Sequence, residues 1–216
     1  MMRGKRRRVM LALAAPLCVL ALEGCIEMAA VGVGVGMGVV SVIDRRTTGA
    51  QVDDEGIELR AANRIRERFG DRVHVNVTSY NRAVMLTGET PDAAAREQIE
   101  KMVASLQGVR GVTNEIQMAG TSAYSARASD ATITGKVKAR FLDAHKFNAV
   151  HVKVVTESGV VYLMGIVTEK EAADATELAR TTSGVRKVVK VFEYCRPGDD
   201  ACRPREMSKS GESKAR

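Results

Sequence analysis

Two stretches of this chain carry the same alternation of apolar and polar positions. Val73-His74-Val75-Asn76-Val77 is followed by Ala83-Val84-Met85-Leu86-Thr87-Gly88. Val150-His151-Val152-Lys153-Val154 is followed by Val160-Val161-Tyr162-Leu163-Met164-Gly165, at a constant offset of 77. Period-two alternation is the mark of a half-buried strand. Tyr80-Asn81-Arg82 and Glu157-Ser158-Gly159 are short turns, so each pair reads as a hairpin. Strands are predicted over 73–79 and 83–88, and again over 150–156 and 160–167. Helical spacing brackets each hairpin. Helices are predicted over 57–69 and 92–106 in the first copy, and over 130–144 and 169–182 in the second. Ile133, Val137, Phe141 and Ala144 share one helix face, with Asp130 as the expected N-cap. Pro91-Asp92 opens the 92–106 helix.

Downstream, Leu106-Gln107-Gly108-Val109 answers Thr182-Ser183-Gly184-Val185 at an offset of 76, so one residue is missing from the helix between. Gly108 and Gly184 are expected to stop their helices in the left-handed conformation. Gly88 and Gly165 are expected where two backbones approach closely at a strand end. Final strands are predicted over 111–118 and 186–194. The pattern is an internal repeat of an α-β-β-α-β unit. The fold class is α+β: two tandem units, each a small mixed three-stranded sheet with two helices on one face. The pattern leaves open whether the third strand borders the first or the second.

The N-terminus carries a different pattern. Arg3, Lys5, Arg6, Arg7 and Arg8 precede an uncharged apolar run over 9–22, the order of a bacterial export signal. That run is shorter than the roughly 20 residues a helix needs to span a bilayer. Leu22-Glu23-Gly24-Cys25 has the form of a lipobox, with Glu23 an unusual middle residue. Cleavage before Cys25 would free a thiol and an amine for acylation, and two or more acyl chains hold a protein stably on a membrane. The alternative is an ordinary secreted protein in which Cys25 has another role. Residue 26 is Ile rather than Asp, which points to the outer membrane facing the periplasm.

Composition narrows the partners. The formal net charge is +7 over 216 residues, and the leader carries +4 of it, so the mature chain is only mildly basic. With 4% aromatics and no Trp, nucleic acid is not an expected partner. Two Cys remain beyond the leader and anchor, Cys195 and Cys202, and an oxidising compartment favours a local disulfide over two free thiols. The expected segments are a leader at 1–24, an anchored Gly/Val-rich segment and linker at 25–52, units at 53–119 and 128–195, and a polar disordered tail at 196–216. Gly32, Gly34, Gly36 and Gly38 form no phosphate loop; the segment is either a flexible linker or rests against the membrane. Residues 44–56 read as polar linker, with Asp53-Asp54-Glu55 at a helix start.

His74 and His151 hold equivalent strand positions, alternate with Val and are expected on the surface. No nucleophile-base constellation stands at a recognisable spacing. The expectation is no catalysis, no cofactor, no metal and no small-molecule substrate.

The paired units, with Gly88 and Gly165 ending the hairpins and Gly108-Val109 and Gly184-Val185 after the second helices, resemble the BON domain. Together with the lipobox, Val75-Asn76-Val77-Thr78, Asn114-Glu115-Ile116 and the run Val161 to Glu169, the layout is similar to dual-BON outer-membrane lipoproteins. That resemblance implies a periplasm-facing lipoprotein that supports outer-membrane integrity at division sites. It also implies an anionic phospholipid membrane as partner, bound through the second unit's first helix. The residues so implicated are Thr132, Ile133, Lys136, Lys138 and Arg140, with Lys146 just beyond. The family places Trp where this chain has Thr132, so insertion should be shallower and binding more electrostatic. The alternative is a non-catalytic scaffold for envelope protein partners in assembly or cell-wall remodelling.

Overall fold

The computed structural model describes residues 44–120 and 124–203. Cys25, the leader, the Gly/Val-rich segment and the end of the tail lie outside the described residues. The elements are α1 (Thr48–Phe69), β1 (His74–Tyr80), β2 (Ala83–Thr90), α2 (Ala93–Ala104), β3 (Gly111–Asn114), β4 (Gln117–Met118), α3 (Tyr124–Ala144), β5 (Lys153–Glu157), β6 (Val160–Val167), α4 (Glu169–Arg180) and β7 (Lys187–Tyr194).

The third strand borders the second in both units. β2 is antiparallel to β1 and parallel to β3 and β4. β6 is antiparallel to β5 and parallel to β7. A parallel partner needs a crossover, which α2 and α4 supply. The first unit's final strand is broken at Glu115-Ile116, where the Ile116 N–H donates to Asn114 Oδ1 and the Ile116 side chain enters the core.

Each sheet buries one face under its helices. Ile57, Ala61, Ile65 and Phe69 of α1 pack with Ile99 and Val103 of α2 on Val84 and Leu86. Ile133, Val137 and Phe141 of α3 pack with Ala172, Ala175 and Ala179 of α4 on Val161 and Leu163. The alternate residues of the central strands are buried too. Met85 and Tyr80 of the first sheet meet Tyr162, Met164 and Ile166 of the second, with Cys195 and Cys202 at one end. The two units thus stack sheet to sheet, and β2 and β6 are covered on both sides. Continuous apolar runs are what such strands require.

Polar contacts lace the same seam. Asn76 Nδ2 donates to Glu157 Oε2 at 2.7 Å, Lys153 Nζ lies 2.8 Å from Glu58 Oε1, and Asn81 Nδ2 donates to Glu193 at 3.0 Å. Arg45 and Arg46, just ahead of α1, tie into both units. Arg45 donates to Ile166 O and Cys202 O, each at 2.8 Å, and to both oxygens of Glu171. Arg46 pairs with Asp44 and Asp54 and lies over the Tyr80 ring.

Three expectations are corrected. α1 begins at Thr48, capped by its own N-cap Thr47, so most of the supposed linker 44–56 is helix. Asp130 does not cap a helix: α3 begins six residues earlier, and the Asp130 carboxylate accepts the Ser158 and Gly159 N–H groups at 2.7 and 2.8 Å. Asp54 does the same for Asn81 and Arg82 in the first unit. Both acids are buried inside helices because the hairpin turn presents two bare amides to them. The 92–106 helix opens at N-cap Asp92, whose side chain accepts from the Ala95 N–H, and Pro91 lies just outside.

Candidate functional site

α3 is the element on which the expected membrane contacts fall. At 100° per residue its buried positions Ile133, Val137 and Phe141 gather on one side. The opposite arc exposes Ala128, Thr132, Gly135, Ala139 and Leu142 in a strip. Lys136 flanks the strip on one side and Lys138 on the other, both exposed. Leu142 is 62% exposed, a large apolar side chain that nothing in the unit covers. Asp143, in the last turn, is the acid on this outward arc.

Two of the five expected lipid-contact residues depart from that expectation: Ile133 turns inward, and the half-buried Arg140 is engaged by α4. Ile133 is 6% exposed and packs in the core against Gly184, so it cannot reach a bilayer without unfolding the unit. The apolar periodicity that placed it in the core was the better guide. Arg140 donates through Nη1 to Leu178 O, Thr181 Oγ1 and Thr182 Oγ1 at 2.7, 2.9 and 3.0 Å. It serves the C-terminal end of α4, where orphan carbonyls and the helix dipole favour a cation. Lys146 pairs with Asp174 at 3.4 Å. Thr132 remains exposed, its hydroxyl donating to Ala128 O at 3.0 Å. Leu142 was missed because a lone Leu near a helix end carries no periodic signal.

The glycines fall into two pairs. A Cβ on Gly88 would be driven into the carbonyl oxygen of His74, and one on Gly165 into that of His151. Gly108 and Gly184 have φ of 91° and 97°, but they lie in the turns beyond α2 and α4 rather than at the caps, which are Ser105 and Thr181. Cys195 and Cys202 are joined by a disulfide.

His74 and His151 are not the surface residues expected. His151 is 5% exposed, in a single 3-10 turn ahead of β5 rather than in the strand, with Nδ1 3.7 Å from Glu171 Oε1. His74 does alternate away from its own core, but the second unit covers that face. Its Nδ1 lies 3.0 Å from Glu89 Oε2 and 3.9 Å from Glu157 Oε1. Among the described residues, His74, Glu89 and Glu157 form a group whose ligand atoms all lie within 4.8 Å of one another. Burial pushes the Glu157 carboxyl above its ordinary pKa, against the Asn76 hydrogen bond and the nearby His74. Burial also pushes the Tyr80 hydroxyl up to about 12. At Glu171 burial is outweighed by hydrogen bonds from Arg45 and the Thr168 N–H, and the carboxyl falls to about 2.

No helix among the described residues is long and apolar enough to cross a membrane. The BON domain family matches residues 53–120 and again 129–196. The chain is 34% identical over 175 residues to Outer membrane lipoprotein DolP of Haemophilus influenzae, covering 80% of this chain and 90% of that protein. It is 35% identical over 154 residues to the 21 kDa hemolysin of Actinobacillus pleuropneumoniae, covering 70% and 79%. Osmotically-inducible protein Y of Escherichia coli is 29% identical over 117 residues, covering 53% and 58%.

Proposed function

The chain belongs to the BON-domain family, and on that premise we propose that it is a periplasm-facing outer-membrane lipoprotein whose second BON domain binds anionic phospholipid. It is anchored through Cys25 and supports outer-membrane integrity at division sites. The leader pattern and the similarity to an outer membrane lipoprotein support the compartment. The observation that carries the lipid reading is the outward arc of α3: small and apolar residues ending in Leu142, rimmed by Lys136 and Lys138. Lysines beside such a strip can extend their ammonium groups to phosphates while the strip meets the headgroup boundary.

Each basic residue near an anionic surface contributes on the order of 1 kcal/mol, so the two lysines supply a factor of roughly 30 in affinity, screened by salt. The anchor makes this weak contact effectively intramolecular. The test uses the unacylated Cys25→Ser chain and vesicles of phosphatidylglycerol or phosphatidylcholine. Binding is expected on the anionic vesicles only, weakened by salt, by K136E/K138E and by Leu142→Asp. Equal binding to neutral vesicles, or binding indifferent to K136E/K138E, overturns the reading.

A second reading, a docking scaffold for envelope proteins, draws on Val52 and Leu59. They are 63% and 64% exposed and seven residues apart on one face of α1. Site-specific crosslinking from Leu59 in intact envelopes tests it; absence of any protein adduct counts against it.

A further inference from the structure

We propose that the seam between the two domains is a binding site for a divalent transition-metal cation, zinc above all, liganded by His74, Glu89 and Glu157. His74 and Glu89 are cross-strand partners on β1 and β2, and Glu157 ends β5 of the other domain. Both carboxylates are more than nine-tenths buried, Glu89 at 4% and Glu157 at 6% exposure. Two acids buried side by side at a domain boundary are costly to keep charged, and a positive centre between them would offset that cost. The imidazole Nδ1 stands between them, 3.0 Å from Glu89 Oε2 and 3.9 Å from Glu157 Oε1. One ring nitrogen can carry one proton, whereas one divalent cation can meet the nitrogen and an oxygen of each acid together.

The donor geometry is close to what zinc requires. Zn–N and Zn–O bonds near 2.1 Å in a tetrahedron separate the ligand atoms by about 3.4 Å. The atoms here lie within 4.8 Å of one another, so closing the shell takes small side-chain movements. Asn76 supplies the outer support: its Nδ2 donates to Glu157 Oε2 at 2.7 Å and leaves Oε1 for the centre. Outer hydrogen bonds of this kind orient ligands and set affinity. One imidazole with two carboxylates suits zinc and neighbouring first-row cations better than calcium or magnesium, which take oxygen ligands. Water fills the remaining position. The ligands come from both domains, so the cation would tie one sheet to the other.

The full-length chain, purified in detergent and stripped with EDTA, is titrated with zinc chloride by calorimetry, with calcium chloride in parallel. One saturable zinc per chain is expected, with a raised thermal midpoint and no response to calcium. His74→Gln and Glu157→Gln should each weaken zinc affinity by tenfold or more, and Asn76→Ala by about tenfold. His145→Gln, on the exposed surface, should leave it unchanged. Circular dichroism of the zinc-free variants checks that they fold. Should H74Q or E157Q not fold, zinc-edge X-ray absorption of the wild-type chain replaces them, with one imidazole in an otherwise oxygen shell as the expected spectrum. Lack of saturable binding, full binding by a folded H74Q or E157Q chain, loss of binding in H145Q, or a sulfur- or multi-imidazole shell would each overturn the assignment.

Discussion

Arg45→Met is the substitution with the most to say about how the segment ahead of α1 is held. It removes the guanidinium and keeps an unbranched apolar chain. Arg45 is 7% exposed and Glu171 16%, so the pair is largely out of water. The folded-state pKa of Glu171 is about 2, below the ordinary 4.5. A carboxylate lowered in this way adds stability above its unfolded pKa, and that stability is lost as pH falls from about 4.5 through 2. The gap corresponds to about 3 kcal/mol at neutral pH. Part of it belongs to the Thr168 N–H, which also bonds Glu171. The carbonyls of Ile166 and Cys202 lose a donor as well, about 1 kcal/mol each. Together these give about 3 to 4 kcal/mol lost at pH 7, in line with breaking a buried pair.

The assay is equilibrium urea unfolding followed by circular dichroism, at pH 7 and at pH 2.5, for wild type, R45M, Glu171→Gln and the double variant. The deficit of R45M should shrink to about 2 to 2.5 kcal/mol at pH 2.5, where wild type has lost most of the Glu171 contribution and the two carbonyl bonds remain. The two substitutions should couple by about 2 kcal/mol at pH 7. An R45M chain within about 0.5 kcal/mol of wild type at pH 7 would refute this account. So would a deficit that is the same at both pH values.

Two further outcomes are expected. Gly165→Ala forces a Cβ onto the His151 carbonyl and must part β5 from its neighbour; urea unfolding should show a loss of about 3 kcal/mol or more, and a neutral result would mean the strands separate cheaply there. Asp130→Ala strips two amides of the β5–β6 turn of a charged acceptor, costing about 2 to 4 kcal/mol, and hydrogen exchange at Ser158 and Gly159 should rise; unchanged protection would rule out the helix-to-turn bond as what holds the hairpin.

The doubled α-β-β-α-β unit was legible because its signals are local. Alternation in Val73 to Val77 and helical spacing in Ile133, Val137 and Phe141 read out the faces that meet each core. The starts of α1 and α3 were not legible. Ala50, Asp54, Ile57 and Ala61 form a buried stripe on α1, but Asp54 is polar, so the apolar pattern begins only at Ile57. What makes Asp54 a buried residue is a turn about 27 residues away, with Asn81 and Arg82 offering their amides. The same holds for Asp130. On α3 the lysines could be counted in the chain, but Arg140 was spent on the end of α4. That pairing spans 38 residues and leaves no mark in the spacing.

By itself the sequence determined the repeat, its order of elements and the residues each sheet turns toward its helices, since periodicity in a strand or helix is set by backbone geometry. Only the tertiary structure decided what lies against each sheet's other face. A period of two separates His74 and Asn76 from Val73 and Val75, yet it is blind to whether the second face meets water or another sheet. Here it meets the other domain, and that packing turns an apparent surface histidine into part of a buried cluster with Glu89 and Glu157.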